Sequence, residues 1–441
     1  MALLYFFSFI IIIYLLFISL KGTDFDFNIK AGRVWSILFY KDLVLVLIPT
    51  IFVSYFGTAY FKSSLFYADD ESAFLTNIII LYSVSIFVIC MSLSLRFFRT
   101  NYEVSSINLI EEKTIGFLKF SLYFGILILV FSMIFLNYKH AVISSIMTGD
   151  NLLVARISNK YQTSLPSQFG RLITISCWMG AILSGLYLAL GCKKNTLIFL
   201  CLTFFVSSAD GGKSPMIVTF IIFVSTVLVF KGRELNLIKL TVYTPIIVLA
   251  LLFSLFYITS LQLSSLDLTS FTQYLINRVG VGQMSGVYES FSIPKLEGTY
   301  FLHSIPFASF FTDYPTYDKD LMVFVEGLDP RKTGVKNSFF LSESFGVYGW
   351  WGALIFPFWI GVVYPLNLYF INKFLQAFIS RQVAFFFAPP FFFMSFSING
   401  GISSLLLFKG LIFNLIMLTI FVINYYFVTS IINTLNVKRR K

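Results

Sequence analysis

Between Tyr300 and Gly352 the sequence gathers groups able to hold or move a proton, among them His303, Asp313, Asp320 and Glu343. They stand among the cations Arg331, Lys332 and Lys336 and the rings of Tyr300, Phe301, Phe307, Phe310, Phe311, Tyr314 and Tyr317. A carboxylate or imidazole placed against a hydroxyl takes its proton in a transfer reaction. Aromatic faces offer apolar surface to the C–H faces of sugars. The same rings also suit a membrane interface, where Tyr and Trp are favoured in any case.

Three further segments carry cations. If Phe271–Gly282 is helical, Phe271, Leu275, Arg278 and Gly282 share one stripe. A guanidinium on an apolar face must meet an anion, either a ligand or a protein carboxylate. Gly280, Gly282 and Gly286 permit close approach there. In Asp210-Gly211-Gly212-Lys213-Ser214-Pro215 a phosphate loop is excluded, because Ser207 stands where that motif needs glycine. With Ser214 as N-cap and Pro215 in the first turn, Lys213 sits at a helix N-terminus, which favours anions. A tight turn with a Lys reaching to the interface is the plainer alternative. Arg156 stands among Ile143, Ile146, Leu152, Leu153 and Ile157, spaced for a short amphipathic helix on a membrane surface. It would face a lipid phosphate or simply add attraction to anionic headgroups.

Other chemistries find little support. Cys90, Cys177, Cys192 and Cys201 lie in or at the ends of apolar stretches without a C-x-x-C pair. His140 and His303 are far apart and lack neighbouring carboxylates at metal-ligand spacing, so no metal and no cofactor are called for. The net charge of +11 is not arranged as a basic stripe interleaved with aromatics, and no nucleic-acid partner is expected.

The elements that must position these groups are apolar spans. Hydrophobic residues make up 57% of the chain and charged residues 12%, half the charge of an ordinary soluble domain. Eleven stretches (with a range of 10–12) are apolar enough to cross a bilayer: 2–20, 43–61, 73–95, 120–138, 172–191, 195–209, 215–230, 240–258, 346–371, 383–407 and 411–430. The first lacks a basic lead-in and a small-residue cleavage site, so it reads as a retained span. Nineteen of the 32 Lys and Arg fall in one alternate set of connecting segments, which places that set in the cytoplasm. The long polar segment 259–345 then faces outward. The expectation is a single all-α polytopic domain over 1–441, with one large outward loop. Eleven spans put the N-terminus outside; one more would put it inside.

Ser342-Glu343-Ser344-Phe345-Gly346-Val347-Tyr348-Gly349 resembles the Glu-x-Phe-Gly-x-x-Gly signature entering a late span of Wzy-type polymerases of O-antigen and related repeat units. Asp210–Ser214 is similar to the turn opening a middle helix in that family. No outward Arg (156, 171, 278, 331) has Gly eleven positions later, so the Arg-x10-Gly pattern of some members is missing. Glu343, Gly346 and Gly349 transfer by signature, whereas Arg278 rests on the physical argument.

The resemblance implies a multi-pass protein of the bacterial inner membrane and a glycosyl transfer between two undecaprenyl-pyrophosphate-linked oligosaccharides. The acceptor's non-reducing-end hydroxyl attacks the donor's anomeric carbon, and the lipid pyrophosphate leaves. Glu343, His303 or Asp313 would take the proton; Arg278, Lys213, Arg156 and Arg331 would meet the pyrophosphate. Membrane lipid and a chain-length regulator protein are the implied partners. Two alternatives share the architecture: an O-antigen ligase acting on a lipid A core, and a flippase or transporter of lipid-linked sugars. A transporter calls for intramembrane charges and an internal repeat, and the charges here gather in loops.

Overall fold

The computed structural model describes the chain except residues 1, 24, 27, 30–35, 99–111, 150–166, 212, 232–234, 237–267, 309–310, 313–314, 328–335, 337, 380–383, 385–386, 389, 394–395 and 441. Among the described residues the fold is all-α apart from a two-residue antiparallel pairing of Asn28–Ile29 with Leu235–Asn236. Its helices are α1 (Ala2–Leu20), α2 (Ser36–Phe56), α3 (Asp70–Phe97), α4 (Glu112–Phe135), α5 (Ala141–Thr148), α6 (Ser167–Ala189), α7 (Lys193–Ser207) and α8 (Lys213–Phe230). There follow α9 (Leu268–Gly280), α10 (Ser285–Ser292), α11 (Tyr317–Glu326), α12 (Phe340–Phe378) and α13 (Lys409–Arg440).

Among the described residues, seven helices (α1, α2, α3, α4, α6, α12 and α13) are long and apolar enough to cross a membrane. A hydrocarbon core of about 30 Å needs about 20 residues at 1.5 Å each. The expected spans 195–209 and 215–230 are α7, of 15 residues, and α8, of 18. The expected span 240–258 lies outside the described residues.

Small residues set where the helices cross. On α6, a Cβ added to Gly180 would lie 2.3 Å from Thr203 Oγ1 of α7, and one added to Gly185 would lie 2.8 Å from Phe223 O of α8. Gly125 of α4 approaches Ser176 of α6 in the same way. α12 crosses α3 at Gly361, where a Cβ would meet Phe87 O at 2.7 Å. Glycines at such crossings let backbones approach closely. Beside that crossing, Phe39, Phe87, Tyr364 and Phe392 pack edge to face or tilted. α13 joins the two groups by packing on both α4 and α12.

Where it is described, the polar segment expected over 259–345 is itself folded. It contains α9, α10, a 3-10 turn at Tyr300–Ser304 and α11, and it ends where α12 begins at Phe340. The expected span 383–407 is not one continuous helix. Around Asn399-Gly400-Gly401 the chain turns, and 3-10 turns at Ile402–Ser404 and Leu406–Phe408 lead into α13. Asn-Gly-Gly followed by Ser403-Ser404 is turn chemistry and interrupts the helix. The irregular stretch is protein-covered: Ile398, Ile402 and Leu405 are buried, as irregular backbone in an apolar surround requires.

Candidate functional site

Glu343 lies near the start of α12, on a short arm that the helix bends sharply away from. Gly349 has φ 63° and ψ −151° and breaks the helix between Tyr348 and Trp350. That conformation is nearly restricted to glycine. In a straight helix, residues 344 and 352 would be about 12 Å apart. Here a Cβ on Gly352 would lie 2.0 Å from Ser344 O. The arm therefore folds back on the long part of α12. Gly346 has a different task. A Cβ there would fall 1.9 Å from Cζ of Tyr317, so its absence admits the tyrosine ring against the arm. Both signature glycines thus have a structural reason, one conformational and one spatial.

The Glu343 carboxylate is buried, at 4% exposure. Its Oε2 accepts the Ser403 N–H at 3.1 Å. Gly401 lies flat against the same oxygen, since a Cβ there would come within 2.0 Å. Oε1 faces His303 Nδ1 at 3.9 Å, beyond hydrogen-bond length but close enough for electrostatic contact. The His303 carbonyl in turn accepts from Lys409 Nζ at the start of α13. Glu343, His303 and Lys409 thus link three separate segments, the ring of His303 facing the carboxylate and its backbone carbonyl taking the ammonium. The chain enters α13 through two consecutive left-handed residues, Leu407 (φ 49°) and Phe408 (φ 55°). Such backbone is uncommon for apolar side chains and needs surrounding structure to hold it.

A buried hydroxyl network supports the arm. Tyr317 Oη donates to Ser290 Oγ at 3.1 Å, Ser290 and Ser342 share a 2.7 Å hydrogen bond, and Ser342 Oγ donates to Gly286 O at 3.1 Å. Burial pushes the Tyr317 hydroxyl up to about 12; the Ser290 bond pulls the other way, and the charges of Asp318 and Glu343 add to the rise. Asp318 is half-buried and accepts from Ser338 Oγ at 3.0 Å. Desolvation, reinforced by the charge of Glu343, pushes its carboxyl up to about 7, against the lowering effect of Ser338.

Of the residues expected at a site, Glu343 and His303 come together, and Gly346 and Gly349 shape the arm. Arg278 is on α9 as expected, with Phe271 buried, but Arg278 itself is exposed. This corrects the premise of an arginine on a desolvated stripe. α9 packs on α2, whereas the start of α12 packs with α10. The helix carrying Lys213 already begins at that residue, so Ser214 lies inside the first turn and is not the N-cap. Asp313, Arg156 and Arg331 lie outside the described residues, as do Phe310 and Tyr314. Of the helix expected around Ile143 to Ile157, α5 covers only Ala141–Thr148, capped by His140 and ended by left-handed Gly149; Leu152, Leu153 and Ile157 lie outside the described residues. Among the rings, Tyr300 and Tyr317 are buried, while Phe301 and Phe311 are exposed.

Gly401, Ser403 and Lys409 were not singled out from the sequence. A signal existed: a turn-forming Asn-Gly-Gly and a lone Lys inside an apolar run. Comparison with protein-family models, with curated proteins and with solved structures finds no match.

Proposed function

We propose that this chain is a glycosyltransferase of the bacterial inner membrane that polymerises lipid-linked oligosaccharide repeat units, with α9 to the start of α12 on the outer side. The observation that carries the reading is Glu343, held on the signature arm with one oxygen fixed by the Ser403 N–H and the other turned toward His303. In the reaction, an acceptor hydroxyl gives its proton to Glu343 as its oxygen bonds the donor's anomeric carbon. The bond from that carbon to the pyrophosphate oxygen breaks, and the electron pair leaves with the lipid pyrophosphate. Lys409, bonded to the His303 carbonyl, would supply positive charge to the leaving group. Arg278 is an exposed cation able to meet it from α9. His303, 3.9 Å from the Glu343 carboxylate, is placed to pass the proton on.

Deletion of the gene followed by gel analysis of surface glycan tests this. A polymerase deletion leaves core carrying a single repeat unit. A ligase deletion leaves no attached units, and a transporter deletion alters export; either result would replace the proposal. A topology reporter fused near Pro315 is expected to read outside, and an inside reading would remove the assignment of the site to outer-face chemistry.

A further inference from the structure

A cavity of about 500 Å³ opens on the arm that carries Glu343, with Lys295, Glu297, Tyr300, Phe301, Gly346 and Tyr348 in its lining. The size lies within the range of small-molecule sites. Its wall is built rather than incidental. Tyr300 is 3% exposed, donates to Asp320 Oδ2 at 3.1 Å, and packs edge to face on Tyr317. Gly298 lies against the Tyr300 ring, where a Cβ would come within 2.6 Å. Phe301, by contrast, is 50% exposed and lines the cavity. The Tyr348 hydroxyl lies against Ser304, next in sequence to His303, and feels the charge of Glu343. The cavity and the carboxylate are therefore neighbours on one arm.

A substrate of the proposed class has three parts, and they differ in what they ask of a pocket. A diphosphate needs clustered cations or free N–H groups. An isoprenoid tail needs an apolar channel. A sugar needs ring faces together with groups that both donate and accept. This cavity pairs one Lys with one Glu and sets them beside exposed aromatic surface. We infer that it is a carbohydrate subsite, which receives the non-reducing-end sugars of the acceptor, with Phe301 and Tyr348 as stacking faces and Lys295 and Glu297 as partners for hydroxyls. The assignment to the acceptor rests on the polymerase reading, because the acceptor's hydroxyl must reach Glu343. Affinity for a neutral glycan does not.

The experiment uses the detergent-solubilised full chain and, as probe, the lipid-free repeat-unit oligosaccharide released by mild acid from the cell's own lipid-linked pool. Saturation-transfer NMR should show the glycan bound to the wild type and lost or strongly weakened in Phe301→Ala. Because Phe301 is half-exposed, that variant is expected to keep its fold. In elongation assays the same variant should raise the acceptor KM roughly tenfold, the scale of one lost aromatic contact, with kcat little changed. Equal binding by wild type and Phe301→Ala overturns the subsite. So does absence of binding to a wild type whose glycan ladder depends on Glu343, and in that case the polymerase reading stands. Phe301-dependent binding with a ladder indifferent to Glu343→Gln keeps the subsite and removes the polymerase reading instead.

Discussion

Glu289 on α10 and Glu343 on α12 are both buried and both take backbone N–H groups from a distant segment, yet their oxygens are committed to different degrees. Glu289 is fully enclosed, with Oε1 accepting from Phe66 N–H and Oε2 from Tyr67 N–H at 3.1 Å. Burial pushes its carboxyl up, and those two donors pull it back down. It fastens α10 to the segment before α3, beside Tyr288, whose hydroxyl donates to Asn77 Oδ1 at 2.5 Å. Glu343 has the Ser403 N–H on one oxygen, while the other faces an imidazole. Burial alone therefore does not mark a reactive carboxylate. Unused acceptor capacity beside a second proton-carrying group does.

Exchanging each carboxylate for its amide separates the two roles, with the largest effect expected at Glu343. Glu343→Gln should lower elongation by roughly 10²–10⁴-fold at normal membrane level, read from the glycan ladder. Glu289→Gln places an NH2 group among fixed donors and should cost about 1–3 kcal/mol of stability. It should be seen as a lower melting temperature with near-normal activity per folded molecule. A normal ladder in Glu343→Gln would reduce that residue to the same structural status as Glu289.

Two glycines of the arm sharpen the contrast between space and conformation. Gly346→Ala drives a Cβ into the buried Tyr317 ring, an overpacking cost of about 1–3 kcal/mol. It should also disturb the Tyr317–Ser290 hydrogen bond. Gly349→Ala meets nothing within 4 Å, so its cost of about 1–3 kcal/mol is backbone strain alone. Smaller replacements elsewhere on the arm cannot relieve it. Shortening Tyr317 to Leu should recover much of the Gly346→Ala loss and none of the Gly349→Ala loss. Thermal melts of the two double variants check this.

Seven of the eleven expected apolar spans were legible because bilayer-length helices follow from composition over a window, whereas Glu343, Gly346 and Gly349 were singled out only through the resemblance of their segment to a family signature. What escaped was long-range. Nothing local in Glu289 separates it from an exposed glutamate of an amphipathic helix; its donors are over 200 residues away. Lys409 and Ser403 escaped because an apolar average over 383–407 hid a turn. Arg278 shows the converse error. Its stripe on α9 is present, but an apolar stripe in sequence does not say which part of it the rest of the fold will cover.

Asp318 connects the arm to pH. Its carboxyl titrates near 7 in the fold, against 3.8 for a free side chain. Below about pH 4 both folded and unfolded chains hold the proton, and no penalty arises. As pH rises toward 7 the unfolded chain releases it first, so the folded state is progressively disfavoured. The groups set around Asp318 are Glu343, which adds to the effect, and Ser338, which opposes it; the Lys336 ammonium is engaged by Glu326 at 2.8 Å. Melting temperature should therefore fall between about pH 4 and pH 7 and level off above, and Asp318→Asn should flatten that fall. An unchanged slope in the variant would assign the pH dependence to another group.

The smallest effect is expected at Arg278, because it is exposed. An exposed guanidinium that is not packed against apolar protein bears little desolvation cost, so Arg278→Ala should leave the melting temperature within experimental scatter. Its contribution to elongation would be long-range attraction of a diphosphate, which weakens beyond about 10 Å at moderate salt. Arg278→Ala should then slow elongation less than Glu343→Gln does, and the deficit should shrink as ionic strength rises. Arg278→Lys should recover most of the rate, since a point charge serves attraction as well as a fork. If the Lys variant fails as badly as the Ala variant at every salt concentration, a bidentate contact is required. Arg278 would then have to close onto the substrate from its exposed position, and α9 would belong to the same site as Glu343 rather than beside it.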